Sequence, residues 1–200
     1  MTMPKTSPAM QERLAMSTRT TSPATRNMPD MPPIERLHHW AYKCRDGEET
    51  RRFYEDILGL PLIHVIRADS VPSTGQCDPY VHLFFGMPDG SAVAFFDLGD
   101  NQAADLSPNT PSWCNHMALH MNSVDEVLQA KSRLEAHGVP VIGPTDHKFV
   151  QSIYFFDPNG YRLELTHELA EEEADYIAHA RASARNKLDA WTEEKRAAAA

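Results

Sequence analysis

Glu164 sits between Leu163 and Leu165 in the segment YRLELT, deep in an otherwise apolar run. A carboxylate there is costly to bury unless something pairs with it. Two histidines are candidates, one in HHWAYKC (His38–Cys44) and one in NHMALHM (Asn115–Met121). Both segments read as strands, and side chains alternate faces along a strand. His39 then shares a face with Ala41 and Lys43, His116 with Ala118 and His120, and Glu164 with Arg162 and Thr166. The opposite faces carry Trp40 and Tyr42, Met117 and Leu119, and Leu163 and Leu165. If a twisted sheet curls so that the first set of faces meets, two imidazoles and one carboxylate converge. That donor set, with positions left open, is the one non-haem Fe(II) oxygenases use. The expectation is that His39, His116 and Glu164 bind one divalent metal. The competing reading makes each histidine an ordinary hydrogen-bonded residue and pairs Glu164 with Lys43 or Arg162.

The elements that must position these groups come from an internal repeat. HHWAYKC is matched by NHMALHM, GLPLI (Gly59–Ile63) by GVPVI (Gly138–Ile142), and PDGSAVAFF (Pro88–Phe96) by PNGYRLELT (Pro158–Thr166). In each copy a strand leads into a helix, spanning Glu48–Leu58 in the first and Val124–His137 in the second. Phe53, Ile57 and Leu58 mark one apolar helix face, and Val127, Leu128 and Leu134 the other. Ser123, with Glu126 three residues on, predicts a capping box. Gly59 and Gly138 stand where a helix C-terminus favours a left-handed residue. Three strands follow, the last two joined by the PDG or PNG turn. The unit is βαβββ, twice, and neither copy is long enough to bury a core alone.

The ends differ from this middle. Residues 1–33 are rich in Ser, Thr, Pro and Met without periodicity and read as disordered. Residues 168–200 carry no Pro or Gly and read as a helix. Tyr176, Ile177, Ala180, Ala184, Leu188 and Trp191 form an apolar stripe along it, suited to packing on the body or on a second subunit. The net charge of −9 over 200 residues lacks the basic footprint of a nucleic-acid binder. No apolar run approaches the roughly 20 residues that span a bilayer, and no signal-peptide core is present. The three cysteines, Cys44, Cys77 and Cys114, are too few for a disulfide framework, which points to a cytoplasmic protein with reduced thiols.

The residues HHWAYKCRD with RRFYEDILGL, then NHMALHM, then DPNGYRLEL resemble the vicinal oxygen chelate superfamily over roughly residues 34–167. The resemblance implies an α+β fold of two paired βαβββ modules, about 34–100 and 113–167, forming a curved-sheet metal-binding cup, with the C-terminal helix outside it. It also implies metal ligands at His39, His116 and Glu164. Glyoxalase I takes a fourth ligand from the last strand of the first module, where this chain has Ala94. Thr145-x-His147, Ile153-Tyr154, Asp157-Pro158-x-Gly160 and Glu164 are similar to the signature of type I extradiol ring-cleaving dioxygenases. By that likeness His147 and Tyr154 are catalytic, acting on the substrate. The implied cofactor is Fe(II), with Mn(II) or Zn(II) as alternatives, and the implied partners are O2, a catechol-like aromatic substrate and a second copy of the chain. The family's usual acid/base histidine is missing from SAVAFFDLG, leaving His120 or His82 as substitutes. The alternatives are a glyoxalase-like lyase, an isomerase or a transferase of the same superfamily, and a non-enzymatic binding or resistance protein.

Overall fold

The computed structural model describes residues 31–105, 107, 109–147 and 149–198. It divides into two units, Met1–Arg36 and Leu37–Ala200. In the first, residues 31–36 form no regular element, and the segment expected to be disordered otherwise lies outside the described residues, as do the last two alanines.

The second unit contains the repeat. β1 (His39–Cys44) is followed by α1 (Gly47–Arg51), which continues as a π-helical stretch over Arg52–Ile57, and then by β2 (Leu62–Ala68), β3 (Tyr80–Gly86) and β4 (Ala92–Asp97). β5 (His116–His120), α2 (Val124–Ala136), β6 (Ile142–Asp146), β7 (Val150–Phe156) and β8 (Arg162–Glu168) repeat that order, and α3 (Ala170–Ala198) closes the chain. The two four-stranded sheets have the same topology, β1-β4-β3-β2 and β5-β8-β7-β6. In each, the first strand lies at an edge and pairs in parallel with the last.

Local sequence accounts for most of these limits. Asp46 caps α1 by accepting from the Glu49 amide, and Ser123 caps α2 by accepting from the Glu126 amide at 3.1 Å. The Glu126 carboxylate returns to Asn122, one residue earlier than the reciprocal capping box predicts. Gly59 and Gly138 adopt φ of +78° and +76° at the two helix ends, a conformation in which a side chain is strained. The wider π turn was not foreseen. It preserves the apolar face, burying Phe53 and Tyr54, so side-chain pattern alone does not reveal it.

One core serves both copies. Tyr54, Phe85, Val93 and Phe95 from the first join Val127, Leu134, Ile153, Phe155 and Leu163 from the second. Tyr42 stacks on Tyr161 with ring centroids 4.0 Å apart. The turn after β7 fastens the halves together. Asp157 accepts from the amides of Asn159 and Tyr161 at 2.9 and 2.8 Å, and from the Tyr54 hydroxyl at 3.1 Å. Asn159 accepts from the Arg45 amide at 2.9 Å and donates to Thr50 Oγ1 at 3.2 Å. Burial pushes the Asp157 carboxyl up in pKa, against the pull of those donors.

Removing a buried carboxylate leaves these three donors unsatisfied. Asp157→Ala should therefore lower unfolding stability by about 3 kcal/mol, and Tyr54→Phe by about 1.5 kcal/mol. Urea denaturation checks both, and should show one cooperative transition for the body of the chain.

Candidate metal centre

β5 and β8 bring His116 and Glu164 together. Nε2 of His116 lies 3.2 Å from Oε2 of Glu164. Nδ1 of His116 is 3.1 Å from the Cys114 carbonyl, so an N–H there donates to it and Nε2 is the ring atom turned toward Glu164. Glu164 is 7% exposed, on the face opposite the core residues Leu163 and Leu165. Its other oxygen, Oε1, accepts from the Tyr154 hydroxyl at 3.1 Å. His147 Nε2 lies 2.7 Å from that same hydroxyl. The phenol has one proton and gives it to Glu164, so the His147 partner is an N–H donating to the phenol oxygen. Burial first, and the Glu164 charge second, hold the Tyr154 pKa above its usual value, which keeps the phenol a donor at neutral pH. The Arg162 guanidinium lies over the Tyr154 ring, 4.3 Å from its centroid.

A backbone irregularity places His147. β6 and β7 pair with a register shift between Ile142 and Thr145. Gly143 within it has φ +106°, and a Cβ there would meet the Ser152 carbonyl at 2.8 Å, so only glycine fits. The His147 amide then donates to the Val150 carbonyl at 2.9 Å and closes the hairpin beside Tyr154.

His39 is elsewhere. It stands on the edge strand of the other sheet, exposed, with its ring centroid 5.4 Å from Phe84 and 6.0 Å from His82. Among the described residues one group of three His, Cys, Asp or Glu side chains has its ligand atoms within 4.8 Å of one another, and it is His120, His167 and Glu168. A single chain thus gathers His116 and Glu164, and does not bring His39 to them. The sheet registers make Ala94 the counterpart of Glu164. Ala41 pairs with Ala94 in the first sheet as Ala118 pairs with Glu164 in the second. Of the two proposed acid/base substitutes, His120 bonds to Glu168 at 2.5 Å and is engaged away from Glu164. His82 is 8% exposed, stacked on Phe96 at 3.7 Å, and its Nε2 has no hydrogen-bond partner. Lys43, the alternative partner for Glu164, pairs with Asp100 at 2.6 Å.

The family model for the "Glyoxalase/Bleomycin resistance protein/Dioxygenase superfamily" matches residues 36–165. The chain belongs to that superfamily. A lactoylglutathione lyase from Haemophilus influenzae is 26% identical over 129 residues, covering 63% of this chain and 87% of the lyase. Glyoxalase I from Leishmania major has a TM-score of 0.53 at 19% identity, covering 78% of this chain and 99% of that one. The fosfomycin resistance protein FosX from Listeria monocytogenes, solved with Mn(II), has a TM-score of 0.50 at 21% identity, covering 70% and 98%. At these identities the two structures carry the superfamily fold and no more. The vicinal oxygen chelate resemblance is thereby upheld, whereas closeness to the extradiol branch of the superfamily is not shown by these relatives.

Burial, with smaller contributions from His39 and His64, lowers the His82 pKa from 6.5 to about 4. A base whose folded pKa is depressed stays neutral in the fold while the unfolded chain takes up a proton. Its contribution to stability is complete above pH 6.5 and is lost as pH falls toward 4. In metal-free protein, His82→Phe should lose less stability between pH 7 and 4.5 than the parent, by on the order of 1–3 kcal/mol. Denaturant titrations at the two pH values measure the difference.

Proposed function

We propose that this chain is a divalent-metal oxidoreductase performing extradiol-type oxidation of a catechol-like substrate with O2, and that Fe(II) is its metal. The observation that carries the reading is the continuous relay His147–Tyr154–Glu164, built beside His116, in a chain with Ala94 where a fourth ligand would sit. Three protein ligands on a six-coordinate ion leave positions for both a chelating substrate and O2; four would not. Two of the three donors, His116 and Glu164, fit the metal on their own geometry. The third is His39, which reaches them from a second copy. β1 and β5 are edge strands whose outer edges pair with no other strand among the described residues. Such edges invite pairing with another chain. Joining them brings His39 of one subunit toward His116 and Glu164 of the other.

When bound, Fe(II) supplies a redox-active Lewis acid with positions open to the substrate and to O2. The chain's own groups orient the substrate and handle protons. The Tyr154 hydroxyl, kept protonated, redirects its hydrogen bond from Glu164 to a substrate oxygen. Nε2 of His147 exchanges a proton with the tyrosine oxygen and so with the substrate rim. Arg162 packs on the ring of Tyr154 and fixes its plane. Phe84 and Phe96, on the open face of the first sheet with His82, give that side of the pocket an aromatic lining. A second reading, a glyoxalase-like lyase, is favoured by the Haemophilus influenzae relative that is matched over 87% of its length. Ala94 counts against it.

Anaerobically purified protein loaded with Fe(II) should consume O2 with members of a catechol panel. His147→Ala and Tyr154→Phe should retain the metal and lower turnover about 10²–10⁴-fold, the usual contribution of general acid–base groups. No O2 uptake, together with lactoylglutathione turnover supported by Zn(II) or Mn(II), sinks the dioxygenase reading in favour of the lyase.

The shared centre has its own test. His39→Ala protein and Glu164→Ala protein should each be inactive and bind metal weakly. Mixed and allowed to exchange subunits, they should recover activity, because one of the two sites in the mixed dimer is then intact. Failure to recover activity after exchange, verified by mass spectrometry, would show that the ligands do not come from two chains.

A further inference from the structure

The group His120, His167 and Glu168 lies at the end of the second sheet away from His116 and Glu164. His120 ends β5, and His167 and Glu168 end β8, immediately before α3. Glu168 lies four residues beyond Glu164, about 13 Å at about 3.3 Å per residue, and the register sets His120 opposite Thr166, two residues or about 7 Å beyond Glu164. The ligand atoms of the three gather with one another, and neither His116 nor Glu164 belongs to their group.

Three features make it a ligand set. One ligand atom from each residue lies within 4.8 Å of the other two. Nδ1 of His167 bonds to the Met121 carbonyl at 2.9 Å, which fixes the tautomer and leaves Nε2 with its lone pair. A metal-ligating histidine characteristically donates its other ring N–H in this way, as His116 does to Cys114. Nε2 of His120 and Oε2 of Glu168 are 2.5 Å apart, closer than two ligands around one ion. Ligands at about 2.0–2.1 Å in tetrahedral array stand roughly 3.4 Å apart. Both side chains are partly exposed, at 53% and 36%, so opening by that amount meets no packed neighbour in the core.

We propose that His120, His167 and Glu168 form a second divalent-metal site, suited to a zinc-class ion. Two imidazoles and one carboxylate match the donor preference of Zn(II) and Co(II), and the fourth position is left to water. The ion ties the ends of β5 and β8 to the residue from which α3 departs, and so braces the root of the C-terminal helix. The proposal does not depend on the catalytic reading of the other centre.

The test removes that other centre first. Full-length His116→Ala/Glu164→Ala protein, stripped with a chelator, is titrated with Co(II) and followed by visible absorption. One equivalent should bind with the d–d bands of a low-coordinate nitrogen and oxygen site, and Zn(II) should displace it and raise the Tm. Adding His120→Ala or His167→Gln should abolish the bands, weakening binding by more than the roughly 10–100-fold that an outer-shell loss costs. Circular dichroism verifies folding, and His167→Gln retains a side-chain donor for Met121 should His167→Ala not fold. Absence of Co(II) binding to the His116→Ala/Glu164→Ala protein, or binding that survives both His120→Ala and His167→Gln, overturns the proposal. The group is then an ion pair between His120 and Glu168 with a neighbouring histidine.

Discussion

The fold depends on a single turn that belongs to one repeat and is bonded to the other. Asp157 and Asn159 collect donors and supply bonds across the boundary, from Tyr54, Thr50 and Arg45. The two four-stranded sheets and their helices bury their apolar residues in one shared core. The shared core provides the driving force, and it is non-directional. The hydrogen bonds of the turn provide the direction, because a buried carboxylate or amide tolerates few arrangements. They fix the register of one repeat against the other. β8 begins two residues after Gly160, so Glu164 inherits its position from this fastening.

Much of this was legible from residue order. The repeat, the helix caps, the two left-handed glycines and the facing of Glu164 against its leucine neighbours all follow from period and parity, which are local properties. The same parity put His39 on the matching face of its own sheet, and there it stands. What parity does not carry is how two sheets from one chain are set against each other. That depends on contacts distant in sequence, such as Tyr42 with Tyr161. The convergence of His39 with His116 and Glu164 was a statement about such contacts, and in the single chain it does not occur.

Other features escaped for more particular reasons. The π stretch keeps the apolar residues on one side, so its extra residue per turn is silent in the pattern. Parity puts His120 on the face of His116 and so makes it an acid/base candidate, while its bond to Glu168 depends on where the two strands end. His167 lies on the opposite parity from Glu164, and a search by face passes over it. The Gly143 distortion, which aims His147 at Tyr154, was hidden because a glycine before a proline reads first as a turn. The signal that could have found it is the pair Gly143–Pro144 inside an otherwise strand-like run.

The open edges of β1 and β5 also have a cost. A strand edge that can accept a correct neighbour can accept an incorrect one, and here Leu37 and Trp40 lie at or beside β1 and Trp113 shortly before β5, all well exposed at 52%, 47% and 65%. During synthesis or refolding, chains that have closed their own core would still present these adhesive borders. Joined edge to edge without closure, such borders would build open-ended stacks. The net charge of −9 acts against such contact, because like-charged chains repel one another before their edges can meet.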